Sequence, residues 1–115
     1  MNIDTFTNLV RSHAGIRPLL RYETDVPDYR FGIPETYVAA SFEQNGQSTV
    51  IEFRIGYING MINQFNALDG VNAAPHATSL DMLVVTVNNN AFTDEVNTLL
   101  DECARKAVNK YFQAH

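Results

Sequence analysis

At 115 residues the chain has the length of a single domain, residues 1–115, and can bury roughly two-thirds of its unfolded surface without disulfide or metal staples. Hydrophobic residues make up 45% and charged residues 18%, which argues against wholesale disorder. The net charge is −5 and unevenly spread: between Arg54 and Arg105 there is no Lys or Arg, only Asp69, Asp81, Asp94, Glu95, Asp101 and Glu102.

Phosphate recognition draws most of its free energy from Lys and Arg, so no nucleic-acid partner is expected for this half. An acidic surface of this kind suits plain solvation or a basic protein partner. The single cysteine, Cys103, cannot close an intramolecular disulfide, which points to a reducing, cytoplasmic setting. The opening MNIDTFTNLV contains Asp4 and neither a basic stretch nor a long apolar one, so no signal peptide is expected. The longest apolar run, residues 82–87, falls well short of the ~18 residues a membrane helix needs, so no membrane partner is expected either.

Ile3, Phe6, Leu9, Val10 and His13 follow a 3.6-residue period and predict a first helix from Ile3 to Ala14. Asn2 or Asp4 is placed to cap its start, and Gly15 to take the left-handed position after its end. Residues 16–36 hold three of the four prolines. Within them Leu20 and Tyr22 alternate with Arg21 and Glu23, and Tyr29, Phe31 and Ile33 alternate with Arg30 and Gly32. Both pieces read as short strands or edges about a Val26-Pro27-Asp28 turn.

The stretch TYVAASFEQNGQSTVIEFR is the clearest hairpin. A two-residue type I′ turn favours Asn-Gly, because both central positions need positive φ. A turn at Asn45-Gly46 sets Phe42 opposite Thr49, Ala40 opposite Ile51 and Val38 opposite Phe53, on one apolar face that Ile55 extends. The other face then pairs Tyr37 with Arg54, Ala39 with Glu52, Ser41 with Val50 and Glu43 with Ser48. Ile58, Met61, Ile62, Phe65 and Leu68 give a second helical stripe, closed by Gly70. Gly60 weakens its first turn by about 1 kcal/mol relative to Ala.

VNAAPHATS, residues 71–79, reads as a loop by composition. LDMLVVTV, residues 80–87, reads as a strand with Leu83, Val85 and Val87 on one face and Leu80, Met82 and Val84 on the other. A strand apolar on both faces is central or covered. Asn88-Asn89-Asn90 ends it. Thr93 is a good cap for a last helix, with Asp94 and Glu95 in its first turn and Phe92, Val96, Leu99, Leu100, Cys103, Ala107 and Tyr111 in one stripe. Arg105, Lys106 and Lys110 lie toward its C-terminal end.

The order is helix, (strand), hairpin, helix, strand, helix. It predicts an α+β two-layer sandwich, a mainly antiparallel sheet of three to five strands with three helices on its apolar face. The helical crossover from the hairpin to the last strand predicts that those two strands run parallel.

The chemistry-bearing residues do not converge on a motif. His13, His76, His115 and Cys103 share no metal-ligand spacing, and neither a metal nor a cofactor is expected. No G-x-S-x-G elbow surrounds Ser12, Ser41, Ser48 or Ser79, and the glycines form no phosphate cradle. Cys103 lies on an apolar stripe, where a thiol behaves as a small buried hydrophobe. His13 reads as a helix-end histidine. His76, in a loop before a strand, is the better chemical candidate, with Asp81 or Glu52 as a distant carboxylate.

Recognition surfaces remain. One is YETDVPDYRF, with Tyr22, Asp25, Asp28, Tyr29, Arg30 and Phe31, where aromatics and Arg suit an interface and equally suit completion of a small core. The other is the sheet face that the helices leave open, lined by Leu80, Met82 and Val84. The element order, small size and acidity are together similar to those of secretion chaperones and toxin-immunity proteins, a likeness of fold that does not fix function. The chain is therefore expected to be a non-enzymatic protein-binding module: an inhibitor, immunity-type protein or chaperone-like adaptor that occludes a partner protein. The alternatives are a homo-oligomeric structural or assembly protein, a homodimer in the simplest case, and a small enzyme or ligand-binding domain using His76.

Overall fold

A computed structural model describes residues 1–14, 21–22, 28–33 and 35–115, and of Arg21, Tyr22 and Asp28 only the backbone. Helix α1 (Ile3–Ala14) starts at Asn2, whose side-chain oxygen accepts from the Thr5 backbone N–H at 2.9 Å. Its stripe buries Phe6, Val10 and Ala14 against the sheet, with Ile3 and Leu9 partly covered. Strands β1 (Arg21–Tyr22) and β2 (Asp28–Ile33) pair antiparallel, so the alternation in residues 16–36 does report strands. Gly15 and the turn expected at Val26-Pro27 lie outside the described residues.

Strands β3 (Tyr37–Asn45) and β4 (Ser48–Arg54) form the hairpin, with its register moved two residues from the expected one. Asn45 faces Ser48, so the turn is Gly46-Gln47, and Phe42 faces Ile51 while Ala40 faces Phe53. Gly46 has φ +44° and Gln47 is not among the residues with positive φ, the pattern of a type II′ turn with glycine first. The turn is chosen by contacts beyond the hairpin. Asn89 donates its side-chain amide to the Gly46 carbonyl at 3.0 Å and its backbone N–H to the Gln47 carbonyl at 2.9 Å, and it accepts from the Thr49 hydroxyl at 2.8 Å. A slip of two keeps the side chains of residues 40–54 on their faces, which is why the alternation there is right while the pairing is not. On the open face Ser41 meets Glu52 and Glu43 meets Val50.

A second correction follows from a bulge. β2 and β3 pair Phe31 with Ala40 and then Gly32 with Val38, skipping Ala39. Ala39 joins the core, and Val38 lines the opposite face with Ser41, Glu52 and Arg54. Gly32 makes this possible: at φ +149° its missing Cβ leaves room for the Tyr37 carbonyl, with which any side chain would collide.

Helix α2 (Asn59–Asn66) ends on Ala67, and Gly70 turns the chain at φ +75°. The next five residues are strand β5 (Val71–Pro75), not the loop that their composition predicts. Among the described residues β5 is an edge strand that pairs only with strand β6 (Met82–Asn88), and Pro75 sits at its end, where no ladder donor is needed. Its outer edge is closed by one side chain. Asn66 donates to the Ala73 carbonyl at 3.0 Å and accepts from the Ala73 N–H at 2.7 Å, imitating a neighbouring strand. Leu80 and Asp81 precede β6 instead of opening it, because the Asp81 carbonyl is taken by the N–H groups of Ile55 and Gly56.

β5 also overturns the expected parallel pair. α2 carries the chain past one strand position to the sheet edge, and β6 returns through the gap. The order is β1-β2-β3-β4-β6-β5, and β4 and β6 pair antiparallel, as does every other pair of neighbours. Helix α3 (Asp94–Ala114) starts where Thr93 accepts from the Val96 N–H at 3.3 Å. It runs to Ala114, so Lys110 lies before its last turn, which holds no basic residue. The fold is thus α+β, with, among the described residues, three helices against a sheet of five strands of five to nine residues plus the dipeptide β1. The helical stripes and the inner sheet face share one core, with Phe6, Phe31, Phe42, Phe53, Leu83 and Leu100 fully buried.

Asn66→Ala should lower stability by about 1 kcal/mol and speed exchange of the Ala73 amide while leaving the amides paired between β4 and β6 protected. Hydrogen exchange read residue by residue checks this, and unchanged protection at Ala73 would show that Asn66 does not hold the edge.

Candidate functional site

The site is built on the sheet face turned away from the helices. Its middle row runs across five strands as Arg30, Ser41, Glu52, Val84 and Ala74, each beside the next in the ladder. The flanking positions carry Val50, Thr86, Arg54 and Met82. A cavity of about 240 Å³ opens here, lined by Arg30, Val38, Ser41, Glu52, Arg54, His76, Ser79 and Met82.

Arg54 organises one side of the cavity. Its Nη1 meets Asp81 Oδ1 at 2.7 Å, its Nε donates to the Val38 carbonyl at 3.0 Å, and its guanidinium lies 5.0 Å from the centre of the Tyr37 ring. One side chain thereby ties the end of β4 to the bulged start of β3 and to the entry of β6. Tyr37 also packs on Tyr111 and His115 of the α3 end. Its hydroxyl is buried and, among the described residues, has no hydrogen-bond partner. Burial raises its pKa above the ordinary 10.0; Arg54 pulls it back, and Asp81 and Tyr111 add to the rise.

The other side of the cavity holds His76, Glu52 and Ser41. His76 Nε2 lies 3.5 Å from Glu52 Oε2, and the Ser41 hydroxyl donates to Glu52 Oε1 at 3.1 Å. The structure therefore brings His76 to one of the two carboxylates that the sequence offers it. The Thr78 backbone N–H donates to His76 Nδ1 at 3.1 Å, which assigns the proton of the neutral ring to Nε2, facing Glu52. Nδ1 is engaged by Thr78, Nε2 lies near Glu52 without a hydrogen bond to it, and the serine is bonded to the carboxylate instead of the imidazole. This is not the relay that activates a nucleophile. Among the described residues no group of His, Cys, Asp and Glu is arranged to hold a metal ion.

The aromatic segment does not present one surface. Tyr29 and Phe31 are fully buried in the core and offer no surface. Of the described side chains of this segment Arg30 alone faces the cavity, while the side chains of Tyr22 and Asp28, and all of Asp25, lie outside the described residues. Of the three residues proposed for the open strand face, Met82 is buried beneath Arg54, Val84 is half-buried on the face, and Leu80 is 86% exposed. Tyr57, which sequence patterning passes over because it belongs to no stripe, is 79% exposed. It lies at the same end of the sheet as Leu80, since the Ile55 and Gly56 amides bind the Asp81 carbonyl. His13, at the end of α1, bonds Asp101 of α3 at 2.8 Å across the helix layer and serves packing there.

No family model matches the chain, and neither a curated protein nor a solved structure matches it. No helix among the described residues is long and apolar enough to cross a membrane.

Two side chains give direct tests of this geometry. Tyr37→Phe should leave stability at pH 7 unchanged or raise it by up to about 1 kcal/mol, because a desolvated hydroxyl without a partner is removed. A raised tyrosine pKa contributes fully below pH 10.0 and is lost above it, so the wild type should weaken relative to Tyr37→Phe as pH climbs past that value. Thermal melts of both proteins from pH 7 to 11 read this out. Cys103 is fully buried, and desolvation pushes its thiol up to about 12, with Lys106 opposing and Glu102 adding. Its labelling at pH 8 should be at least about a hundredfold slower in the native protein than in urea; comparable rates would mean that the core of α3 is open.

Proposed function

We propose that this chain is a small acidic protein-binding module, of a chaperone-like or inhibitory kind, that acts by covering a surface of another protein. The observation carrying this reading is the exposure of Leu80 and Tyr57, at 86% and 79%, at one end of a sheet whose outer face, left open among the described residues, carries half-buried Val84, Val50 and Ala74. Large apolar side chains held out in water beside an uncovered sheet face support a partner surface more than any internal role. The polar groups within the face are already matched to one another, Arg54 with Asp81 and Glu52 with Ser41, so a partner can dock without leaving them unpaired. The net charge of −5 favours a basic partner and an association that weakens with salt.

A second reading, a ligand-binding domain or small enzyme, draws on the approach of His76 to Glu52 within the cavity. It is the weaker one, because His76 has no free lone pair with which to take a proton while Thr78 occupies Nδ1.

Capture from a native extract, followed by light scattering, tests the first reading. A stoichiometric, salt-sensitive complex should form with the wild type and be lost in Leu80→Glu, whose melting temperature should stay within about 2 °C because the side chain is exposed. A wild-type dimer that Leu80→Glu renders monomeric would move the reading to homo-oligomeric assembly. A strictly monomeric protein that recovers no stoichiometric partner would overturn both.

A further inference from the structure

Away from the sheet face, on the helical layer, the end of α2 and the start of α3 leave a groove of about 520 Å³ between them. Its floor is formed by Leu68 and Leu99, both half-buried and packed against the core, with Ala67 exposed beside them. Its rim carries Asp94 and Glu95, both exposed. The dipole of α3 accounts for acids at this position. It does not account for a leucine floor beneath them, and no residue between Arg54 and Arg105 supplies a cation along the chain.

An apolar floor with a rim of one sign selects its occupant by charge. We propose that this groove is a second docking site, for an amphipathic helical segment of a partner protein that sets a leucine-sized side chain on Leu68 and Leu99 and a Lys or Arg against Asp94 and Glu95. Helix-in-groove binding of this type uses apolar anchors one turn apart with flanking charges that fix orientation. The inference rests on the protein-binding reading and deepens it, by naming a basic amphipathic helix as one part of what the partner presents. An acidic or purely apolar segment is disfavoured, the first by repulsion at the rim and the second by burial of two unpaired carboxylates.

The test is an NMR titration of the isotope-labelled full chain with a synthetic amphipathic helix of leucine and lysine, and with its counterpart of leucine and glutamate. The Leu/Lys peptide should shift the amides of Ala67, Leu68, Thr98 and Leu99, and the Leu/Glu peptide should not. The double variant Asp94→Asn, Glu95→Gln should weaken binding at least about fivefold, and Ala67→Lys should abolish it. Glu43→Gln, on the opposite face of the sheet, should leave it unchanged. Equal shifts with both peptides, or no shifts with either, would overturn the proposal. Shifts gathered on the open sheet face would overturn it too, while leaving the protein-binding reading standing. Shifts in the groove that grow with protein concentration in the absence of peptide would assign it instead to a second copy of this chain. Because the Leu80→Glu capture experiment reads the other face, failure of the groove and failure of the protein-binding reading are told apart.

Discussion

The ring of Phe6 is the contact on which the two layers depend. It stacks on Phe42 at 5.1 Å and meets Tyr29 and Phe53 at 5.9 and 6.0 Å, so one side chain from α1 engages β2, β3 and β4 at once. Aromatic pairs of this kind add about 0.5–1.5 kcal/mol each beyond the area they bury. With Phe6 in place, the inner faces of the first three long strands are committed to the helices. A second aromatic group, Phe31 with Tyr111 and Phe112, locks the end of α3 to the same sheet. Everything the protein offers to solvent is what these two clusters leave over.

Much of that arrangement is legible in the amino-acid sequence, and the reasons differ by element. The bounds of α1 can be read because Asn2 caps it and its stripe is regular; α3 can be read because Thr93 and a long stripe agree. The hairpin shows how far alternation reaches. It sorts Phe42, Ile51 and Phe53 to the correct face, yet it places the turn one residue early, because the hydrogen bonds from Asn89 that select Gly46-Gln47 come from 40 or more residues away. β5 is hidden for a related reason. Its sequence VNAAP has neither apolar bulk nor alternation, and it becomes a strand through β6 on one side and the Asn66 amide on the other. Missing that strand is also what makes β4 and β6 look parallel.

The site is less legible in the sequence than the fold. Tyr29 and Phe31 resemble interface aromatics and are in fact core, because a small sheet needs large rings to fill the space beneath two helices. Local sequence cannot distinguish those uses, since both demand the same residue types. The meeting of His76 with Glu52 is accessible from sequence as one of two pairings, and the bonding of Ser41 and Thr78 around it is not, because it depends on cross-strand register and on a two-residue turn in the loop. The role of Arg54 is the least legible of all. Sequence assigns it a place opposite Tyr37, and the structure gives it a role in joining three strands.

The Asn66 amide has a consequence for how this molecule can meet others. Open sheets commonly recruit partners by lending a free border to an incoming extended peptide, which needs a row of unused backbone donors and acceptors. At β5 that row is interrupted in the middle by a side chain that already occupies both groups of Ala73. A peptide arriving there in extended form would have to displace a well-formed pair of hydrogen bonds before making its own. Growth of the sheet from this border, whether by a ligand strand or by a runaway stack of copies, therefore starts at a disadvantage.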